Sequence, residues 1–424
     1  MSSFELHPPA TGPNLGEVLV VGGCGFLGHH VVKFLLKETT CTSISVMCRS
    51  PFKNLYEGHV RHVMNQVRPK VIFNTASPHA YKDHEHVPDI FKVNINGNQN
   101  LLEAAVEIGT VQAYVYTSSG PIIAGSGGGY DHADETAPTL AVPAIRKGDP
   151  YHVAKALGDK IVLEANGKHG IRTCCIRPTA LYGEGDGQMV GPVIDALEAG
   201  QTSIWMGYND IDMDVVYVGH VAIAEVLAAK GLLVELTDPK APKVAGEAFN
   251  ITDDQPCPPL TFFRKYWTLA GDHTPLSSVW YIPPMLVLIM AHIAEYIVWA
   301  TTWGKLRPKN LILERMEFIL YTRTYSVKKA RERLGFVPWE DQPYANQEEA
   351  LKAFRRYAET TRKEEFDGSK LRKVIDAFKA SYEAHQHEEI ATILSLGKVI
   401  ESKSLKGIDM RMREEAERQS DVFK

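Results

Sequence analysis

The chain has 424 residues, of which 44% are hydrophobic and 23% charged, and its formal net charge is −5 at pH 7. That length is too great for one compact core and implies two domains with an extension. The small negative balance gives no electrostatic footing for a nucleic-acid partner.

Residues 1–14 contain no apolar stretch of the kind a cleaved secretory leader needs. Residues 17–21 form a Val-rich run that ends at Gly22, and residues 29–36 carry apolar side chains at helical spacing. Further strands are expected at 43–47, 71–73, 113–116 and 171–176, with helices at 89–108 and 153–165 between them. Strands alternating with helices predict an α/β fold built on a doubly wound, mostly parallel sheet. Only residues 50–70 separate the second strand from the one at Val71. That interval holds a strand remnant at 59–63 at most and one short helix near 63–67, so a strand usual in such sheets is apparently missing. Past Pro178 the alternation breaks up, as expected of a smaller second domain. Residues 279–303 are strongly apolar, and a tail rich in Lys, Glu and Arg follows from 359. The predicted division is a sheet domain over 15–180, rejoined by 209–230. A second domain over 181–357 contains the apolar segment 279–304, and a charged helical tail covers 358–424.

The six cysteines, Cys24, Cys41, Cys48, Cys174, Cys175 and Cys257, include no C-x-x-C pair, and no histidine cluster has zinc spacing. They are expected to be reduced thiols in a cytosol-facing protein, with no metal site.

Two local patterns carry chemistry. Gly22, Gly25 and Gly28 lie between a strand and an amphipathic helix. Such glycines let the backbone approach a pyrophosphate while the helix start, including Phe26 and Leu27, offers free N–H groups. Tyr151 and Lys155 are four apart and share a helical face. An ammonium there favours phenolate, which makes Tyr151 a usable general base. About thirty residues upstream, Thr117-Ser118-Ser119 places hydroxyls at a strand end. At the end of the second strand, Met47-Cys48-Arg49 offers no carboxylate for a ribose 2′-hydroxyl, and Arg49 suits a 2′-phosphate.

The ordered set Gly22-x-x-Gly25-x-x-Gly28, Thr117-Ser118-Ser119, Tyr151-x-x-x-Lys155, Arg177-Pro178 and Tyr182-Gly183 resembles the extended short-chain dehydrogenase/reductase superfamily. Val216 to Ala222 is similar to that family's late strand-to-helix signature. Tyr116 to Gly120, residues 77–81 and 120–125, and the apolar segment near 285–303 resemble its 3β-hydroxysteroid dehydrogenase branch, and within it the sterol-4α-carboxylate dehydrogenases. The resemblance spans roughly residues 15–355. It implies a Rossmann-type fold, NAD or NADP as cofactor, and oxidation of a 3β-hydroxyl on a sterol or triterpenoid. With a 4α-carboxylate present, decarboxylation follows. By the resemblance, Tyr151 is the base and Lys155 its partner, also holding the nicotinamide ribose. Ser119 is the catalytic serine, with Ser118 as the alternative. Ala76, Asn94 and Pro178 lie beside the cofactor. A 3β-hydroxysteroid dehydrogenase/isomerase, another terpenoid oxidoreductase, and a catalytically impaired cofactor-binding or scaffold protein are the alternatives. The implied setting is the cytosolic face of the endoplasmic reticulum membrane, with a homodimer or a sterol demethylation complex as candidate assemblies.

Overall fold

The computed structural model describes residues 12–48, 57–80, 84–123, 128–140, 149–183, 186, 188–308 and 310–338. Arg49 and the expected tail 358–424 lie outside them. The chain divides into two units, 1–351 and 352–424, and every described residue belongs to the first.

The first half alternates β1 (Gly16–Val21), α1 (Phe26–Leu35), β2 (Cys41–Met47), α2 (Glu57–Val67), β3 (Val71–Asn74), α3 (Val87–Phe91), α4 (Gly97–Ile108), β4 (Ala113–Thr117), β5 (Tyr130–Ala133), α5 (Pro150–Glu164) and β6 (Arg172–Pro178). There follow β7 (Ala180–Tyr182), α6 (Val190–Glu198), β8 (Ile204–Met206), β9 (Val215–Tyr217), α7 (Val218–Val234), β10 (Ala248–Ile251) and α8 (Pro259–Leu269). The last elements are β11 (Trp280–Ile282), α9 (Pro284–Thr301), α10 (Leu313–Leu320), β12 (Arg323–Tyr325) and α11 (Lys328–Leu334).

Among the described residues, six strands make one parallel sheet in the order β10-β6-β4-β3-β1-β2. Residues alternate between its faces. Val18 and Val20 of β1 join the core under α1 and α7, with Val31, Leu35 and Val221. Leu19 and Val21 join the opposite core under α2 and α4, with Met64, Leu101 and Ala105. A parallel sheet buried on both faces needs such continuous apolar strands. This is a doubly wound, Rossmann-type architecture.

β2 pairs only with β1 among the described residues and is an edge strand, with Val46 43% exposed. The interval that follows corrects the sequence expectation. Residues 59–63 are no strand remnant; they belong to one continuous helix, Glu57–Val67. Val60, Met64 and Val67 recur at helical spacing and pack on Leu101, Ala105 and Ile108 of α4, which decides helix over strand. After β7 the chain returns to the sheet: α7 packs on α1, β4 and β6, and β10 extends the sheet beyond β6.

Near its end the chain leaves α9 lying on the body rather than within it. Only Val287 and Ala291 of this helix are buried, against Met316 and Leu320 of α10. Glu295 accepts from the Leu313 N–H at 2.9 Å, so this carboxylate anchors the two helices to each other.

Candidate functional site

The turn after β1 is built for close approach. Gly22 has φ +85°, a conformation that favours glycine. A Cβ there would lie 2.9 Å from the backbone of Ala76, so β3's exit passes directly against the turn. A Cβ on Gly28 would lie 2.2 Å from the Gly22 carbonyl oxygen. Gly25 caps α1 without any side-chain hydrogen bond to the helix. The first-turn N–H groups from Phe26 and Leu27 onward are thereby left for an anion. These residues fit the pyrophosphate of a dinucleotide. Beside them a small recess is lined by Val21, Met47, Val60, Asn74, Ala76 and Leu101, among others. It is apolar and sits at the carboxyl ends of β1 to β3, where such folds hold an adenine.

The second cluster lies where β4 ends and α5 begins. Pro150 opens α5, whose N-cap Asp149 accepts from the His152 N–H at 3.1 Å and also pairs with the His152 ring. Tyr151 is half-buried, with its ring edge-on to His152. One turn later Lys155 is 1% exposed, and its Nζ donates to the Thr117 carbonyl at 2.6 Å. Burial pushes this ammonium down to about 7, against the opposing pull of Glu225, Cys175 and Asp159. Ser118 and Ser119, directly after β4, are 2% and 8% exposed. The Ser118 hydroxyl is buried without a hydrogen-bond partner among the described residues, and Ser119 is extended at φ −156°.

Asn94 is held inward by a π-helical turn, Lys92–Asn96, a distortion common at functional sites. Fully buried, it donates to the Ile90 carbonyl at 2.9 Å and accepts from Tyr116 and Ser77. Gly158 of α5 is required there, because a Cβ would meet the Asn94 carbonyl oxygen at 2.6 Å. Pro178 is buried at the end of β6 beside Ile251 of β10. The structure therefore gathers the expected residues into two groups. Gly22, Gly25, Phe26, Leu27, Gly28 and Ala76 lie at the glycine turn, while Asn94, Ser119, Tyr151 and Lys155 lie around the end of β4.

Further residues of this neighbourhood act through contacts that the sequence does not show. Glu225 of α7 is fully buried and accepts a hydrogen bond from the Thr117 hydroxyl. Burial pushes its carboxyl up to about 8, against the lowering effects of Thr117 and Lys155. A lone carboxylate in the apolar run of α7 was the available signal. Arg177 clamps Asp159 through two bonds of 3.0 and 2.7 Å, fixing α5 on β6. Asn74 donates to Asn98 and Tyr114 beneath the turn. The cysteine expectation is also corrected. Cys24 and Cys48 are joined as a disulfide, because the turn after β1 and the end of β2 bring their Cα atoms to 6.1 Å. The other four cysteines are free.

Residues 19–276 match the 3-beta hydroxysteroid dehydrogenase/isomerase family. A sterol-4-alpha-carboxylate 3-dehydrogenase, decarboxylating, of Candida albicans is 31% identical over 77% of this chain and 94% of its own length. A 3beta-hydroxysteroid-dehydrogenase/decarboxylase of Arabidopsis thaliana is 28% identical over 76% of this chain, which spans only 59% of that relative. Among solved structures, the UDP-glucose 4-epimerase of Thermotoga maritima shares the fold, with TM-score 0.56 and 19% identity over 80% of this chain and 99% of that one.

Proposed function

Because the chain belongs to the 3-beta hydroxysteroid dehydrogenase/isomerase family, we propose that it oxidises the 3β-hydroxyl of a sterol or triterpenoid 4α-carboxylate to the 3-ketone, with loss of the C-4 carboxylate. The observation that carries the reading is the placement of Tyr151 and Lys155 on one face of α5 beside the β4 terminus, with Lys155 bonded to Thr117. Tyr151, as phenolate, takes the hydroxyl proton. Ser119 donates to the reacting oxygen. Lys155 supplies the positive charge that favours the phenolate and holds the nicotinamide ribose. A nicotinamide dinucleotide, held at the glycine turn and by Lys155, would supply the hydride acceptor for C-3. The resulting β-keto acid loses carbon dioxide, its bonding electrons pass to the enolate, and solvent protonates C-4. The protein's contribution is orientation and polarisation.

The test is cofactor reduction and carbon dioxide release by purified protein with carboxylated and plain 3β-hydroxysterols. Turnover confined to plain sterols favours a dehydrogenase/isomerase or another terpenoid oxidoreductase. No turnover with any of them favours a scaffold or cofactor-binding role. On cofactor choice, β2 ends at Met47 and the sequence continues Cys48-Arg49 without a carboxylate, so NADP should bind at least as well as NAD. A strong preference for NAD in binding assays would overturn that.

The setting we propose is the cytosolic face of the endoplasmic reticulum membrane. Trp280, Met285, Tyr296, Trp299 and Trp303 are 80%, 75%, 68%, 55% and 91% exposed around α9. An apolar helix with aromatic side chains at both ends suits the membrane interface, where a sterol substrate dissolves.

A further inference from the structure

Cys24 lies between Gly23 and Gly25 in the turn that receives the pyrophosphate, and Cys48 directly follows Met47, the last residue of β2. The turn and the strand end are tied together twice. The Gly22 N–H donates to the Met47 carbonyl at 2.7 Å, and the Cys24 N–H donates to Cys48 Sγ at 3.1 Å. In this architecture the ribose of the adenosine is read about twenty residues past the glycine turn, at the end of the second strand. Cys48 is twenty residues past Gly28. The Cys24–Cys48 disulfide thus joins the glycine turn to the strand end where the ribose is read, and Met47, the neighbour of Cys48, lines the recess with Val60 and Ala76.

Both residues are exposed, so small thiols and disulfides reach them. The remaining cysteines are poor competitors. Cys174 and Cys175 are fully buried, burial pushes the Cys41 thiol up to about 12, and the Cys257 thiol is also raised. In a reducing compartment an accessible pair of this kind is redox-sensing rather than structural.

We propose that Cys24 and Cys48 form a thiol–disulfide exchange site that gates the dinucleotide: the dithiol admits the adenosine ribose and the disulfide excludes it. The exchange partner is a low-molecular-weight disulfide such as oxidised glutathione. One cysteine thiolate attacks it, forms a mixed disulfide and releases one small thiol. The second cysteine thiolate then displaces the other. Two protein thiols are oxidised, one small disulfide is reduced to two thiols, and the reverse exchange restores the open site. The inference rests on dinucleotide binding and is independent of the sterol assignment.

The experiment equilibrates the full chain in buffers of reduced or oxidised glutathione, assigns the cysteine pairing by mass spectrometry of alkylated peptides, and measures NADPH and NADH binding by titration. The expected result is a Kd at least about tenfold weaker for the oxidised protein. The double variant Cys24→Ser/Cys48→Ser, whatever its own affinity, should bind equally in the two buffers. Protection of the two thiols of reduced wild type from iodoacetamide by NADPH should agree, and this needs no variant to fold. Equal binding by oxidised protein with the pair formed, failure of the pair to form, or a redox response that survives in the double serine variant would each overturn the gate alone. Binding in neither state would remove the dinucleotide reading and the gate with it.

Discussion

Lys155 and Glu225 are both fully buried and both bonded to Thr117, the lysine to its carbonyl oxygen and the glutamate to its hydroxyl. One residue of β4 thereby couples the ammonium on α5 to a carboxylate on α7, on the far side of the strand. Burial opposes charge on both groups, while each favours the charged form of the other. One carboxylate oxygen of Glu225 has no hydrogen-bond partner among the described residues, which leaves part of its desolvation uncompensated.

The pair has a consequence for stability. The Glu225 carboxyl rises from 4.5 to about 8 on folding. Between those values the unfolded chain has released this proton and the folded chain retains it. The unfolded state then binds fewer protons, so this group's contribution falls as pH rises through that window. Glu225→Gln removes the effect. Wild type should lose stability relative to the variant as pH is raised from about 5 to about 8. Urea midpoints of the two proteins across that range check it, and parallel curves would show that Glu225 does not titrate there.

Tyr151→Phe keeps the ring and removes the phenol. Turnover of the sterol substrate should fall on the order of a hundredfold or more, the usual scale of general-base catalysis. NAD(P)H binding should change little. Turnover near that of wild type would take Tyr151 out of the mechanism.

At Gly28 a methyl group meets backbone, since the Gly22 carbonyl oxygen would be 2.2 Å away. Gly28→Ala should cost about 1–3 kcal/mol or more and weaken dinucleotide binding, because neither partner can turn aside. Gly191→Ala is the control: its Cβ meets nothing within 4 Å. It should melt at or slightly above the wild-type temperature, as alanine is the better helix former. Equal melting temperatures for the two variants would contradict the packing described for the turn.

Ile289, Ile293, Tyr296 and Ile297 are each between 48% and 68% exposed on α9. The protein should sediment with membranes and be released by detergent. Replacing Ile293, Tyr296 and Ile297 with serine should reduce that binding without lowering the melting temperature, because little buried surface is lost. Full recovery of the wild type in the soluble fraction, with no detergent present, would count decisively against a membrane role for α9.

The sequence by itself determined what depends on neighbours in the chain. The Val-rich β1, the glycine turn and the spacing of Tyr151 from Lys155 are local patterns, and each lies on the element expected for it. The edge position of β2 was also legible, because a short interval cannot hold an ordinary strand and its connections. The 59–63 segment was misread because five residues do not separate a strand from a helix; the period became visible only with Met64 and Val67 included. Tertiary structure alone decided which distant residues meet. Cys24 reaches Cys48 because β2 lies beside β1 in parallel. Glu225 reaches Thr117 across 108 residues because α7 packs over β4. Sheet order sets such pairings, and it arises from burying two apolar faces at once, a property of the whole chain rather than of any window within it.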